Sequence, residues 1–208
     1  HSELVCFSFH PRKVITTGDG GMITTSNQKF YERVKLLRQH GMSINDRERH
    51  LSKKVLTEEY LELGYNYRMT DIQAAVGIKQ LEKLDWLVEE RRKIAFRYHE
   101  AFKKIDFFQL PFENENCISN YQSYSVFLKE NSPVSRNYLM QKLLDQGIST
   151  RRGVMCIHRE KAYMDLCSGV TLPVSEKLSD QSILLPLFVP MKEEEISFVI
   201  DSVLDVVK

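Results

Sequence analysis

The chain has 208 residues, 42% of them hydrophobic, and its 29 Lys and Arg residues nearly balance its 28 Asp and Glu residues. A formal net charge of +1 gives no long-range attraction toward nucleic acid or an anionic membrane, so neither is expected as a partner. No apolar run approaches the roughly 20 residues that span a bilayer, and the first residues lack the regions of a signal peptide. The sequence therefore predicts a cytoplasmic protein.

The first predicted elements are a strand from Leu4 to Phe9, a Pro-Arg-Lys turn with a glycine cluster after it, and a second strand from Met22 to Thr25. Asn27 is placed to cap a helix from Gln28 to His40, because apolar residues recur there at helical spacing. The polar stretch from Met42 to Leu63 has no clean period and predicts a long surface loop.

A long helical stretch follows in the middle of the chain. It begins at Thr70 or Asp71, and it is too long for one ordinary helix, so two are predicted, Asp71 to Leu84 and Asp85 to Lys104. The segment VEERRK within the second helix is expected to be a solvated face with local ion pairs.

The second half of the chain mixes strands and helices. Polar and apolar residues alternate from Tyr121 to Leu128, as in a half-buried strand, and Ser132-Pro133 predicts the start of a helix that runs to about Gln146. Further on, the pattern predicts a strand near Ser149 to Ile157, a helix near Ser175 to Ser182, a short ILLP segment and a terminal helix from Lys192 to Val207.

The four cysteines are Cys6, Cys117, Cys156 and Cys167. They form no CxxC pair, and their apolar or mixed surroundings favour buried free thiols over disulfides. Cys156, His158 and Cys167 could supply three metal ligands, but their spacing matches no recurrent ligand pattern, so no metal is predicted.

Lys13 is the residue of the opening segment with the clearest chemical potential. A lysine that forms a Schiff base needs a rigid backbone and a space that admits a carbonyl cofactor. Lys13 lies at a strand end beside Gly18, Gly20 and Gly21, and the hydroxyl of Ser8 could reach a phosphate. Taken alone, Lys13 would more simply be a surface residue at a turn.

Four motifs favour the chemical interpretation. They are SFHPRKxxTTGDGGM from Ser8, GYNYRMTDIQAAVGIKQL from Gly64, GISTRRGVMCIH from Gly147 and LLPLFVPM from Leu184. In this order they resemble the motifs of the DegT/DnrJ/EryC1/StrS sugar aminotransferases, which are fold-type I pyridoxal-phosphate enzymes. The resemblance extends through the whole chain.

The resemblance implies an α/β fold, the C-terminal part of a fold-type I pyridoxal-phosphate transferase. Residues 1–90 would be the remainder of the large mixed-sheet domain that binds the cofactor, and residues 91–208 a smaller α+β domain. Family members carry roughly half of their chain before the lysine strand, including a phosphate-binding loop, a ring-stacking residue and the aspartate that protonates the pyridine nitrogen. The sequence is therefore expected to be N-terminally incomplete and inactive alone, with an exposed sheet edge prone to association.

The resemblance also implies roles for individual residues. Lys13 matches the lysine that holds pyridoxal 5'-phosphate covalently and then moves a proton, and Ser8 matches a phosphate-binding hydroxyl. Asn66 matches an asparagine that reaches the cofactor phosphate of the neighbouring subunit, which implies a homodimer with shared active sites. Arg151 and His158 match positions near the substrate, where they would meet a nucleotide diphosphate or sugar hydroxyls.

Three further positions are less specific. Arg68 could belong to the site or pair with a carboxylate to fix its loop, and Asp71 is expected to cap the following helix. Asp19 departs from the resemblance, because family members most often carry glutamate there.

The implied function is the transfer of an amino group from an amino acid, glutamate above all, to a nucleotide-linked keto sugar. Such amino sugars most commonly enter cell-envelope polysaccharides such as lipopolysaccharide. One alternative on the same scaffold is a sugar 3-dehydratase, but that branch has histidine where this chain has Lys13. A non-catalytic binding or regulatory relative is the other alternative.

Overall fold

The structure is a computed structural model that describes residues 2–44 and 46–208. It divides into two compact units, unit 1 (His1–Leu84) and unit 2 (Asp85–Lys208). Among the described residues, none of the helices combines the length and the apolar character needed to cross a membrane. The functional assignment of residues 1–90 and 91–208 stays a prediction.

The described residues of unit 1 form one antiparallel strand pair and three helices. The strands are β1 (Val5–Ser8) and β2 (Gly21–Thr24), and the helices are α1 (Gln28–Leu37), α2 (Asp46–Leu51) and α3 (Asp71–Leu81). Asn27 caps α1 as predicted, since its side chain accepts the Lys29 N–H. Thr70 caps α3 in a reciprocal capping box with Gln73, so the cap is Thr70 and not Asp71.

Two predictions for unit 1 need correction. Helix α1 ends at Leu37 and not at His40, because His40 and Gly41 take positive φ angles of 61° and 69°, which turn the chain out of the helix. The predicted loop from Met42 to Leu63 contains the short helix α2 and a β-bridge between Met42 and Tyr60. Asn45, within that loop, lies outside the described residues.

Unit 2 is built on a four-stranded antiparallel sheet of order β3-β4-β6-β5. The strands are β3 (Phe108–Gln109), β4 (Tyr124–Leu128), β5 (Arg151–Arg152) and β6 (Ser182–Leu185). The helices are α4 (Leu84–Phe102), α5 (Arg136–Asp145), α6 (Pro173–Gln181) and α7 (Glu193–Val207). This combination makes the unit α+β.

Strand β4 is central to the core of unit 2. Its alternating pattern buries Tyr124, Val126 and Leu128, while Ser125 and Phe127 are half-buried. The remaining core side chains come mainly from α4, α5, β6 and α7, and the largest of them are Tyr98, Phe102, Leu139, Leu143, Ile183 and Val203. Helix α7 contributes one apolar face to this core, with Ile196, Val199, Ile200 and Val203 buried.

Element boundaries in unit 2 differ from several predictions. Helix α5 begins at Arg136 with Ser135 as its cap, and not at Ser132-Pro133. The predicted strand from Ser149 to Ile157 is reduced to β5, which is followed by a 3₁₀ turn at Ile157–Arg159. Strand β3 was not predicted.

The VEERRK segment is only partly a solvated face. Lys93 pairs with Glu89 and Glu90, as expected. Arg91, however, is buried, donates to the main-chain carbonyls of Tyr121, Gln122 and Leu187, and has a pKa lowered by burial. Arg92 forms a two-pronged ion pair with Glu113 and holds the pKa of that carboxyl below its usual range.

The cysteines are all free, but the prediction that they are buried is wrong for two of them. Cys6 and Cys117 are exposed, Cys167 is partly buried and Cys156 is buried.

Candidate active site

Lys13 lies on a closed loop that joins β1 to β2. The Phe9 N–H donates to the Gly20 carbonyl at 2.9 Å, and the Thr17 N–H donates to the Phe9 carbonyl at 3.1 Å. The Lys13 N–H donates to the His10 carbonyl at 2.9 Å, which closes a turn and leaves the lysine side chain exposed. The amine is thus carried by a hydrogen-bonded turn and is accessible to a ligand.

Two threonines and a glycine fix the part of the loop that follows Lys13. Thr16 Oγ1 donates to the Phe9 carbonyl at 2.8 Å, and Thr17 Oγ1 donates to the Asp19 carbonyl at 2.6 Å. Thr17 is buried, at 7% exposure. Gly20 has a φ of 147°, and a Cβ there would lie 2.7 Å from Thr17 Oγ1, so a side chain at position 20 would disrupt the loop.

Helix α3 holds the same loop from outside. Gln73 Nε2 donates to the Asp19 carbonyl at 3.0 Å, and the Thr16 N–H donates to Gln80 Oε1 at 3.4 Å. A Cβ at Gly77 would lie 3.0 Å from Thr17 Cγ2, so the helix passes close to the loop at that point. Sequence reasoning missed these contacts, although spacings of four and three residues between the three positions place them on one helix face.

Ser8 ends β1 and is exposed. Its hydroxyl oxygen accepts the His10 N–H at a long 3.4 Å, and the His10 ring accepts the Arg12 N–H at 3.2 Å. The Ser8 hydroxyl therefore keeps the capacity to donate a hydrogen bond to an anion.

Asn66 belongs to an extended segment that pairs with the end of α1. The Tyr65 N–H donates to the Leu37 carbonyl at 2.7 Å, and the Tyr67 N–H donates to the Arg38 carbonyl at 2.9 Å. The backbone is thus anchored on both sides of Asn66, whose side chain is exposed. Arg68 Nε donates to Asn66 Oδ1 at 3.5 Å, which is an amide oxygen and not a carboxylate, so the role of Arg68 stays open.

His158 and Arg151 lie in unit 2 and differ in their surroundings. The His158 ring is 7% exposed, and its Nε2 hydrogen-bonds Glu176 Oε1 at 2.8 Å. The same oxygen accepts the Leu172 N–H at 2.8 Å, and this bond, followed by that of the His158 ring, lowers the pKa of the Glu176 carboxyl. Arg151 is exposed on β5.

Ser8 at the end of β1 and Lys13 on the loop that follows are both exposed, and Asn66 lies on a second segment of the same unit. Within residues 2–44 and 46–208, no three His, Cys, Asp or Glu side chains assemble a group that could hold a metal ion. Cys156, His158 and Cys167 therefore do not form the ligand cluster that their spacing left open.

The donor set of unit 1 suits a phosphorylated aldehyde such as pyridoxal phosphate. An exposed primary amine at Lys13 can form a carbon–nitrogen bond with an aldehyde, and the Ser8 hydroxyl can donate to a phosphate oxygen. Ser8 is held in the β1–β2 ladder, and Lys13 is on a loop whose backbone is already hydrogen-bonded. The residues present therefore fit such a cofactor.

Comparison with known proteins identifies relatives over the whole chain. The sequence matches the model of the DegT/DnrJ/EryC1/StrS aminotransferase family over residues 1–204. An uncharacterized protein of Methanocaldococcus jannaschii is 31% identical over 208 residues, which cover 99% of this chain and 54% of that protein.

Solved structures with the same fold include two bacterial proteins. Helicobacter pylori PseC, an aminotransferase involved in the biosynthesis of pseudoaminic acid, superposes with a TM-score of 0.88 at 27% identity, over 99% of this chain and 53% of that one. Streptococcus pneumoniae Spr1654 in its PMP form superposes with a TM-score of 0.87 at 25% identity, over 99% and 53% of the two chains, and a PLP form is also known. The chain spans about half the length of the relatives that it matches.

Proposed function

Because the chain belongs to the DegT/DnrJ/EryC1/StrS aminotransferase family, we propose that it functions as part of a pyridoxal-phosphate-dependent sugar aminotransferase. The amino donor is an amino acid, glutamate by preference, and the acceptor is a nucleotide-linked keto sugar. The product is an amino sugar for cell-envelope polysaccharide, and the enzyme works in the cytoplasm.

The proposal rests on one observation, namely that Lys13 is exposed on a loop whose backbone is fixed by hydrogen bonds. A lysine that is to bond a cofactor must be both accessible and fixed in position. Lys13 is exposed, while the backbone around it is closed by the bonds of Phe9 and Thr17 and by its own N–H. An ordinary surface lysine at a turn has no need of such a scaffold.

Lys13 and Ser8 would hold pyridoxal phosphate, through a covalent bond to the lysine amine and a hydrogen bond from the serine hydroxyl. When bound, the cofactor supplies an aldehyde that accepts the amino group and a ring that withdraws electrons from the reacting carbon. Once the donor's amino group has displaced Lys13 from the cofactor, the freed Lys13 Nζ would take the proton from Cα of the donor and give it to the cofactor carbon that carried the aldehyde. In the second half-reaction Lys13 Nζ would take a proton from that cofactor carbon and give it to the sugar carbon that receives nitrogen.

Asn66 is proposed to act on the cofactor phosphate of a neighbouring subunit in a homodimer. Its backbone is anchored to α1 while its side chain is exposed, as a residue that reaches a second chain requires. Arg151 and His158 are proposed to face the nucleotide sugar, with Glu176 fixing the orientation of the His158 ring.

Borohydride reduction tests the role of Lys13. The full-length protein, as encoded, is incubated with pyridoxal phosphate, reduced and digested, and the labelled peptide is mapped by mass spectrometry. The label is expected on Lys13, and Lys13→Ala should lose both the label and transaminase turnover, whereas Lys29→Ala on α1 should keep both. A label on another lysine, or unchanged turnover in Lys13→Ala, would refute the assignment.

Mixing of subunits tests Asn66. Lys13→Ala and Asn66→Ala subunits are each expected to be inactive as homodimers, and Asn66→Ala should retain cofactor poorly while its circular dichroism stays that of the wild type. Mixed dimers should recover activity, because one of their two sites has both residues intact. If heterodimers form but no activity returns, Asn66 does not act across the interface.

The 208-residue chain by itself is proposed to bind pyridoxal phosphate weakly and to be inactive, because it spans only about half the length of its relatives. Titration with cofactor, followed by absorbance and then by addition of glutamate, tests this. Stoichiometric binding with a spectral response to glutamate would show that this half holds most of the site.

A further inference from the structure

We propose that Gln73 and Gln80 of α3 are positioning residues that hold the loop after Lys13 in its working geometry. The expected effect on catalysis rests on the proposed function. The expected effect on the structure of the loop does not. The side-chain hydrogen bonds from the two glutamines to this loop go to the Thr16 N–H and the Asp19 carbonyl, so they would act on the lysine through the backbone between Thr16 and Asp19.

The contacts of α3 with this loop cover three successive parts of it. Gln80 Oε1 accepts the Thr16 N–H, Gly77 leaves room for the Thr17 methyl group, and Gln73 Nε2 donates to the Asp19 carbonyl. These positions lie on one face of the helix. One rigid element thus holds the loop at both ends and contacts it in the middle.

The two glutamines have opposite hydrogen-bonding roles toward the loop, so one type of substitution can remove one bond and keep the other. Gln80 is an acceptor toward the loop and Gln73 is a donor. Glutamate has nearly the shape of glutamine but, when ionised, only accepts. Gln80→Glu therefore keeps the loop bond, whereas Gln73→Glu replaces a donor with a carboxylate that faces the Asp19 carbonyl.

Position 73 also offers an internal control for helix stability. Gln73 Oε1 accepts from the N–H and the hydroxyl of Thr70, at 3.0 and 3.1 Å, which completes the capping box of α3. Glutamate is equally suited to a capping box. Gln73→Glu should therefore leave the start of α3 intact and remove only the bond to the loop.

Hydrogen exchange of the full-length protein without cofactor measures the loop directly. In Gln73→Glu, amides in the peptide that spans residues 9–20 should exchange about five- to tenfold faster, the factor that corresponds to one net hydrogen bond. Gln80→Glu should leave these rates within twofold of the wild type, whereas Gln80→Met, which lacks the acceptor, should raise them. Peptides from α3 should exchange at unchanged rates in Gln73→Glu.

A loop rate that is unchanged in Gln73→Glu would overturn the inference. Equal acceleration in Gln73→Glu and Gln80→Glu would also overturn it, because the polarity of the two bonds would then have no effect. Faster exchange throughout α3 in Gln73→Glu would overturn it as well, because the loop would then loosen together with the whole helix and not through the contact of Gln73.

Kinetics of the same variants separates this inference from the proposed function. In the full-length enzyme with cofactor, Gln73→Glu should lower kcat about five- to tenfold while KM for the amino donor stays within twofold, because the backbone of the loop sets the position from which the lysine acts. Lys79→Gln, on an exposed position of the same helix, should change neither constant. If transaminase activity is absent and the exchange pattern holds, only the proposed function fails; if activity is present and the exchange pattern is absent, only the inference fails.

Discussion

Two buried tyrosines of unit 2 make a matched pair for measuring what a single buried hydroxyl contributes to stability. Tyr98 is 0% exposed and Tyr124 is 1% exposed, and their rings are in contact, with centroids 5.3 Å apart. The Tyr98 hydroxyl donates to the Pro186 carbonyl at 2.8 Å. The Tyr124 hydroxyl is buried and has no hydrogen-bond partner among the residues that the structure describes.

The same chemical change should therefore have opposite effects at the two positions. Tyr98→Phe removes a hydrogen bond and leaves the Pro186 carbonyl without its donor, which should lower the free energy of unfolding by about 1–3 kcal/mol. Tyr124→Phe removes a hydroxyl that is desolvated without compensation, so stability should be unchanged or higher by about 1 kcal/mol. Both variants keep the aromatic ring, and neither leaves a large cavity.

Guanidinium unfolding gives both values under the same conditions. Trp86, the single tryptophan of the chain, lies in unit 2, so its fluorescence reports on the unfolding of that unit, and circular dichroism provides a second probe. The midpoint should fall for Tyr98→Phe and not for Tyr124→Phe, with unchanged denaturant dependence. Equal losses in the two variants would refute the reasoning, because the hydrogen bond would then make no difference.

The remaining predictions concern pH, a helix cap and a close backbone contact. Burial raises the pKa of Tyr98 above its ordinary value of 10.0, so the unfolded chain releases this proton at a lower pH than the folded chain. The free energy of unfolding should therefore fall above about pH 10, by up to about 1.4 kcal/mol per pH unit. Urea titrations between about pH 9 and 11 should show a smaller decrease of this free energy with pH in Tyr98→Phe. Ser135→Ala should lower the free energy of unfolding by about 1 kcal/mol because it removes the cap of α5, and Ser132→Ala, which removes no helix cap, should have a smaller effect in the same denaturation assay. Gly64→Ala would place a Cβ less than 3.0 Å from the neighbouring backbone, so the Tyr67 amide should lose protection from hydrogen exchange, and unchanged protection would contradict this.

The helices with a clear apolar period and a recognisable cap were the most predictable elements. The sequence placed the last helix at Lys192 to Val207, and α7 runs from Glu193 to Val207. Asn27 was correctly identified as a cap, since the side chain acts on the helix that directly follows it. Such signals are local, so the sequence alone is sufficient to locate them.

Elements defined by distant partners were less predictable. Strands β3 and β5 contain two residues each and exist because they pair with β4 and β6, respectively. The start of α5 lies at Ser135, whose side chain accepts the Tyr138 N–H, and not at Ser132-Pro133 as predicted. The pairing of β3 and β5 with their neighbours is a tertiary contact, and no short window of sequence encodes it.

The residues of the candidate site also divide into those with a local sequence signal and those defined by distant contacts. The motif around Lys13 identified the lysine and Ser8, whereas the roles of Gln73 and Gln80 depend on where α3 lies relative to the loop. A partial signal exists, because the two glutamines and Gly77 share one helix face. The Glu176 contact of His158 had no comparable signal.

The two units also differ in what holds their backbones in place, and this difference bears on the site. Unit 2 has a core of large buried side chains, whereas in the described part of unit 1 neither α1 nor α3 buries a residue completely, and the apolar side chains Val5, Phe7, Met22 and Ile23 are exposed. Close packing is what ordinarily fixes a backbone, and hydrogen bonds that water can reach are individually weak. The position of Lys13 within this chain therefore depends on many small polar contacts acting together, so the loss of any one of them should appear as a measurable change in loop motion before it appears as a loss of fold.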